Sequence, residues 1–71
     1  MVEEENKYRE GYFIYSLIEN VYVRSLDWRD IEYTHKIYDA KEFRDEESAI
    51  AYCKDEGFSY FRIDKAYILE Y

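Results

Sequence analysis

Nucleophilic chemistry in this 71-residue chain would have to draw on one cysteine, Cys53, and one histidine, His35. A cysteine acts as a nucleophile where it is accessible and where a neighbouring base or positive charge lowers its pKa. Cys53 instead falls on the apolar stripe of a predicted helix, where a free cysteine is usually an inert small hydrophobic residue. None of the serines stands among the glycines of a nucleophile elbow, so a Ser-His-Asp arrangement with His35 is also disfavoured.

Carboxylates are the next candidates, because aspartate and glutamate supply 17 of the residues. Closely spaced acids occur at Glu46-Glu47, at Asp55-Glu56 and at Asp27 with Asp30. A carboxylate works as a general acid or base where a pocket shifts its pKa, and a domain this small can hardly enclose one. The sequence also lacks a glycine-rich phosphate loop, a Cys/His cluster and the spacing of a calcium loop. We therefore predict a protein that is not an enzyme and holds no metal or cofactor.

Composition narrows the classes of partner. The formal net charge is -7, and the ten lysines and arginines are scattered among the acids, so no basic stripe is available for direct nucleic-acid binding. The longest apolar run is far shorter than the roughly 20 residues of a membrane-spanning helix. The acidic N-terminus does not resemble a signal peptide, and a single free cysteine suits a reducing compartment. These features predict a cytoplasmic protein that binds neither nucleic acid nor a membrane.

The elements that would position any binding residue are predicted from local patterns. The first ten residues, 1–10, carry a run of glutamates and are predicted to be a flexible acidic leader, which leaves 11–71 as a single domain. Residues 12–18 and 21–26 are rich in aromatic and β-branched side chains and predict two strands. Glu19 and Asn20 lie between them, and Asn tolerates the positive φ of a tight turn, so the strands should pair as an antiparallel hairpin.

The second half of the chain adds a helix and a final strand. Residues 31–37 alternate only loosely, and a short third strand there is left open. Asp45 is a suitable N-cap and Gly57 a suitable residue after the C-terminus, which predicts a helix over residues 46–56. Residues 58–71 predict a long strand. The expected fold is α+β: an antiparallel sheet of three or four strands, with one helix packed on one face.

Ten tyrosines make this chain unusual, and period-two alternation places aromatic residues on both faces of its strands. One helix can cover only one face. The other face either carries tyrosines with their hydroxyls in solvent or is covered by a partner, since exposed aromatic patches mark interaction sites. That partner is either another protein or a second copy in a structural homodimer that joins through the tyrosine-rich face.

The candidate partner-binding residues are aromatic residues expected at the surface and acids close to them in sequence. They are Tyr15, Tyr22, Trp28 and Tyr60, with Asp27, Asp30 and Glu32. Acids next to aromatic residues can occupy a basic surface of another protein, with carboxylates where phosphates would sit. The alternative is that the carboxylates serve only solubility.

A short stretch of the sequence resembles small acidic proteins of bacteriophages and prophages. It comprises Tyr33-Thr34, then Asp39-Ala40-Lys41-Glu42-Phe43, then Asp45-Glu46-Glu47-Ser48-Ala49. In such proteins a hairpin is followed by a threonine, an Ala-Lys-x-Phe step, a helix that opens with acids, and a final strand. Some of them inhibit host defence enzymes. The resemblance implies an origin in a mobile element and transfers no functional residue. Together with the acidic and aromatic surface, it leads to the prediction of a phage-encoded inhibitor that occupies the surface of a host nucleic-acid-binding or defence protein.

Overall fold

A computed structural model of the chain describes residues 7–27 and 29–70. Its elements in chain order are the strands β1 (Lys7–Ser16), β2 (Val21–Asp27) and β3 (Asp30–Thr34), a 3₁₀ turn (Ile37–Asp39), the helix α1 (Glu46–Asp55) and the strand β4 (Phe61–Glu70). The four strands form one antiparallel sheet in the order β3-β2-β1-β4. The predicted α+β fold is confirmed, and the short third strand is present.

The longest ladder of the sheet joins β1 to β4. All ten residues of β1 have partners in β4, from Lys7 opposite Glu70 to Ser16 opposite Phe61. Because residues directly opposite each other in a ladder share a face, Ile14 and Ile63 lie on the side that packs against α1, here called the helix face. Tyr15 and Arg62 lie on the other side, here called the opposite face.

The leader prediction was wrong for its last four residues. Residues 7–10 lie in β1 because β4 is long enough to pair with them, as in Tyr8 opposite Leu69 and Glu10 opposite Tyr67. A polar local sequence can join a sheet when a distant strand supplies the hydrogen bonds. Residues 1–6 of the predicted leader lie outside the described residues.

The turn of the first hairpin spans four residues rather than two. The predicted strand over residues 12–18 ends at Ser16, and Leu17 and Ile18 belong to the turn. The Ser16 carbonyl accepts a hydrogen bond from the Asn20 amide at 2.8 Å, and Asn20 has a φ of 59°. The left-handed conformation expected of Asn20 is therefore confirmed, although the loop around it is longer.

β1 and β2 pair over a short stretch and then separate. Their ladder holds only Tyr15 opposite Tyr22 and Ser16 opposite Val21. The segment 41–43 lies in the opening: the Tyr12 and Phe43 amides each donate to the other residue's carbonyl, at 2.9 and 2.8 Å. On its other side, the Lys41 amide donates to the Val23 carbonyl at 3.1 Å. This inserted segment supplies the backbone partners that the separated strands would otherwise lack.

The core lies between the helix face and α1. Its buried members are Ile14, Val23, Leu26, Ala49 and Cys53, with Phe43, Tyr52, Phe58, Phe61 and Ile63 packed against them. The helix limits agree with prediction to one residue, because they are set by local chemistry. The Asp45 carboxylate accepts the Ser48 amide at 2.7 Å, and Gly57 has a φ of 69°.

The final strand is shorter than predicted. β4 begins at Phe61 rather than at residue 58, because Phe58 continues the helix exit and its amide donates to the Cys53 carbonyl at 2.8 Å. β3 ends at Thr34, whose hydroxyl accepts the Lys36 amide at 3.1 Å and turns the chain away from the sheet. In the described part of the chain, no helix has the length and apolar character needed to cross a membrane.

Candidate functional site

Two of the predicted tyrosines meet on the opposite face of the sheet. Tyr15 and Tyr22 are cross-strand neighbours, and their rings pack edge to face with centroids 5.0 Å apart. Arg62 lies opposite Tyr15 on β4, and its guanidinium carbon is 4.0 Å from the Tyr15 ring centroid. That distance is well within the range of a cation–π contact. Three strands thus contribute to one group of side chains.

Asp64 completes this group. It accepts a hydrogen bond from the Tyr22 hydroxyl at 2.8 Å and from Arg62 Nε and Nη2 at 2.7 and 3.1 Å. The hydrogen bonds from Arg62, together with that from Tyr22, hold the pKa of Asp64 below its ordinary value. Burial and the bond to Asp64 raise the pKa of Tyr22. We call Tyr15, Tyr22, Arg62 and Asp64 the tyrosine cluster; the polar ends of Tyr22 and Arg62 are engaged within it.

A second group of aromatic residues lies at the far end of the β1–β4 ladder. We call residues 7–10 with residues 67–70 the tyrosine ribbon, since they form a two-stranded extension beyond the core. On its helix face Tyr8 and Tyr67 are 58% and 62% exposed, and Leu69 is half-buried opposite Tyr8. The helix lies over the other end of the ladder, so these rings project from a sheet surface that the core does not use.

Polar contacts order the base of the ribbon on its helix face. Glu10 accepts a hydrogen bond from the Tyr12 hydroxyl at 3.0 Å and lies 3.9 Å from Lys65 Nζ. Lys65 Nζ is also 5.6 Å from the centroid of the Tyr67 ring. The hydrogen bond to Glu10, followed by burial, raises the pKa of Tyr12. These contacts fix the side chains that surround the base of the Tyr67 ring.

The opposite face of the ribbon is attached to the inserted segment. Arg9 Nε and Nη2 donate to the two carboxylate oxygens of Glu42, each at 2.8 Å. Gly11 allows this approach: a Cβ there would lie 2.9 Å from Ile68 Cδ1 and 3.1 Å from Glu42 Cγ. The absence of a side chain at Gly11 therefore brings β4 and the inserted segment together over β1.

A third exposed apolar group lies at the first turn. Leu17, Ile18 and Tyr60 are all exposed, and the Leu17 amide donates to the Tyr60 carbonyl at 2.9 Å. Tyr60 has a φ of 63°, which is uncommon for an aromatic residue and turns the chain into β4. This group, here called the turn end, contains one of the predicted binding residues.

The predicted acidic residues lie together at the end of the β2–β3 hairpin. Asp27 and Asp30 are opposite each other, Glu32 lies opposite Ser25, and all three acids are exposed. Asp27 accepts the Arg29 amide at 3.0 Å. Trp28, the remaining predicted residue, lies outside the described residues. The six predicted binding residues that the structure describes therefore fall in three places: the tyrosine cluster, the turn end and this hairpin end.

Sequence reasoning missed Tyr8 and Tyr67 as surface candidates. The sequence predicts a leader around Tyr8, and it places Tyr67 on a strand face shared with core residues. The alternation of β4 was correct, but it could not indicate where along the strand the helix stops covering that face. The isolated Tyr8 between charged neighbours is the one local signal, since a bulky aromatic residue in a polar segment often pairs across strands.

The two candidate catalytic side chains lie in different surroundings. Cys53 is buried in the core, where desolvation raises the pKa of its thiol to about 11. His35 is exposed in the connection after β3. A thiol with a raised pKa is a poor nucleophile at neutral pH. Among the described residues, no group of three or more His, Cys, Asp or Glu side chains could hold a metal ion.

Comparison of the chain with protein-family models, with curated proteins and with solved structures gives no match. The phage-protein resemblance therefore stays a prediction.

Proposed function

We propose that this chain is a non-enzymatic protein-binding module that contacts its partner through the helix face of the tyrosine ribbon. The observation that carries the proposal is the exposure of Tyr8 and Tyr67 on a two-stranded extension outside the core. Tyrosine is enriched at protein interfaces because it contributes a large apolar area at a small cost in side-chain entropy. The tyrosine cluster is a weaker candidate, since its polar groups already have partners within the chain.

The net charge of -7 favours a partner with a basic surface. A host protein that binds nucleic acid has such a surface, and a phage-encoded inhibitor would occupy it. The acids at the β2–β3 hairpin end, Asp27, Asp30 and Glu32, would add to the long-range attraction. Such attraction is screened by salt, so capture of this partner should weaken as ionic strength rises.

The test is capture of a partner by the tagged chain from host lysate, compared between single tyrosine variants. Tyr67→Ser and Tyr8→Ser are expected to reduce recovery of the partner that the wild-type chain captures by about tenfold or more, as loss of a central aromatic contact does. Tyr38→Ser is the matched control, because Tyr38 is 83% exposed but lies in the 3₁₀ turn. It should leave recovery unchanged.

The same experiment discriminates the other exposed surface. A partner that is retained by Tyr67→Ser and Tyr8→Ser but lost with Leu17→Ser or Ile18→Ser would move the binding surface to the turn end. Equal recovery by every variant would contradict the proposal. Circular dichroism of each variant establishes that it is folded before recovery is interpreted.

A further inference from the structure

The outer edge of β4 presents a regular row of backbone groups. The Tyr12 amide and carbonyl are bonded to Phe43, away from β4, so the pair of Tyr12 with Lys65 is a non-hydrogen-bonded pair of the ladder. Just beyond the Ser16 end of the ladder, the Leu17 amide donates to the Tyr60 carbonyl. That bond fits the same alternation of hydrogen-bonded and non-hydrogen-bonded pairs. The odd-numbered residues of β4 therefore direct their amides and carbonyls outward.

Those outward residues are Phe61, Ile63, Lys65, Tyr67 and Leu69. β4 is the last strand in the sheet order, so within residues 7–27 and 29–70 no strand pairs with that edge. An edge of this length is a template for another strand, unless its side chains oppose pairing.

The β4 strand matches a second copy of itself in one antiparallel register. When Ala66 lies opposite Ala66 of the second copy, Lys65 faces Tyr67 and Ile63 faces Leu69 across the edge, all on the helix face. Lys65 already lies near its own Tyr67 ring. Ile63 and Leu69 are half-buried in one copy, and the pairing would bury more of their apolar surface. The outward backbone groups of Lys65 and Tyr67 then exchange hydrogen bonds directly.

Registers shifted towards the start of β4 are less favourable. Centring the pair on Lys65 places two lysines opposite each other, and centring it on Asp64 places two aspartates opposite each other. The strand as a whole carries two basic and two acidic residues, so it is neutral in a chain with a net charge of -7. A second acidic copy is repelled by most of the molecule but not by this strand.

We propose that two copies of this chain associate through antiparallel pairing of their β4 edges about Ala66, which joins the two sheets into one continuous sheet. This inference does not depend on the partner proposed above. The two-fold axis passes through the sheet, and the two ribbons extend the helix-face surface of Tyr67 across the axis. The association is isologous, with the same edge used by both copies.

Cysteine cross-linking tests the register directly. At the non-hydrogen-bonded pair of Ala66 with its own mate, the Cα atoms are expected about 4.5 Å apart, within disulfide range. Ala66→Cys should therefore give a covalent dimer of doubled mass under mild oxidation. Ile68→Cys is the matched control on the same face, because its opposite residue is Asp64 and its own mate lies too far along the strand. The native Cys53 is buried and is common to both variants.

The wild-type chain gives a second measurement that needs no substitution. Sedimentation over a concentration series should show a shift from monomer to doubled mass, and the shift should move to lower concentration as salt screens the repulsion between acidic copies. Salt thus acts in the opposite direction on the dimer and on binding to a basic partner. Amides of Lys65 and Tyr67 should become protected from exchange as the dimer forms.

Several outcomes would overturn the inference. A wild-type chain that stays monomeric at high concentration and high salt, together with no cross-link from Ala66→Cys, rejects association through this edge. A cross-link from Ile68→Cys in place of Ala66→Cys rejects the register. A dimer in which the amides of Lys65 and Tyr67 exchange as freely as in the monomer places the contact on another surface.

Discussion

The two halves of the β1–β4 ladder use similar residues in opposite ways. In residues 12–16 with 61–65, the sheet is supported by α1, β2 and the inserted segment, and Tyr15 packs within the tyrosine cluster. In the tyrosine ribbon, the sheet has two strands and Tyr8 and Tyr67 project into solvent. The difference shows that tertiary support, rather than residue type, decides whether a tyrosine of this chain is structural or available for binding.

Truncating two isoleucines of the ladder should give the greatest difference in stability. Ile14 is fully buried under α1, and Ile14→Ala should lower the free energy of unfolding by about 2–5 kcal/mol through lost burial and a residual cavity. Ile68 is half-buried on the ribbon, and Ile68→Ala should cost about 1 kcal/mol. Urea unfolding of both variants measures the difference. Equal losses would mean that the ribbon is as well packed as the core.

Hydrogen exchange compares the halves without substitution. The backbone amide of Tyr12 points away from β4, and amide direction alternates along a strand. The amides of Tyr15 and Arg9 therefore both point towards β4. After correction for intrinsic rates, we expect the Tyr15 amide to exchange at least about tenfold more slowly than that of Arg9, a difference of ~1.4 kcal/mol in opening free energy. Similar protection would show that the ribbon opens only when the whole domain unfolds.

Removing the Tyr22 hydroxyl tests how much its hydrogen bond within the tyrosine cluster contributes to stability. Tyr22→Phe loses the 2.8 Å hydrogen bond to Asp64 and should destabilise the chain by about 0.5–1.5 kcal/mol. The control, Tyr67→Phe, removes a hydroxyl from a mostly exposed ring and should change stability by less than about 0.5 kcal/mol. Thermal denaturation of the pair gives the comparison. If Tyr22→Phe leaves stability unchanged, the Tyr22 hydroxyl contributes no more to stability than the exposed hydroxyls of the ribbon.

The Asp64 carboxylate should make a small contribution to stability that depends on pH. Because Arg62 and Tyr22 hold the pKa of Asp64 below 3.8, its carboxylate contributes stability above about pH 4. That contribution is lost as pH falls through the lowered pKa, when the folded state must take up the proton. Asp64→Asn should remove about 0.2–1 kcal/mol at neutral pH, the range of partly exposed ion pairs, and flatten the loss of stability below about pH 4. An unchanged pH profile would contradict this role.

Features that depend on neighbouring residues follow from the amino-acid sequence alone. The helix limits follow from the Asp45 cap and Gly57, the hairpin from two aromatic and β-branched runs around Asn20, and the α+β class from the order of these elements. Each rests on backbone and side-chain groups within a few positions of one another. Local chemistry is therefore sufficient to specify them.

Which tyrosines are enclosed and which project into solvent depends on contacts between residues that are distant in sequence. Tyr15 is covered because the register of β4 brings Arg62 over its ring, although the two residues are far apart in sequence. Tyr8 is exposed because β4 extends beyond the helix and draws a polar segment into the sheet. Period-two alternation specifies the face of a strand, but the support along its length is set by long-range pairing, which no local pattern contains.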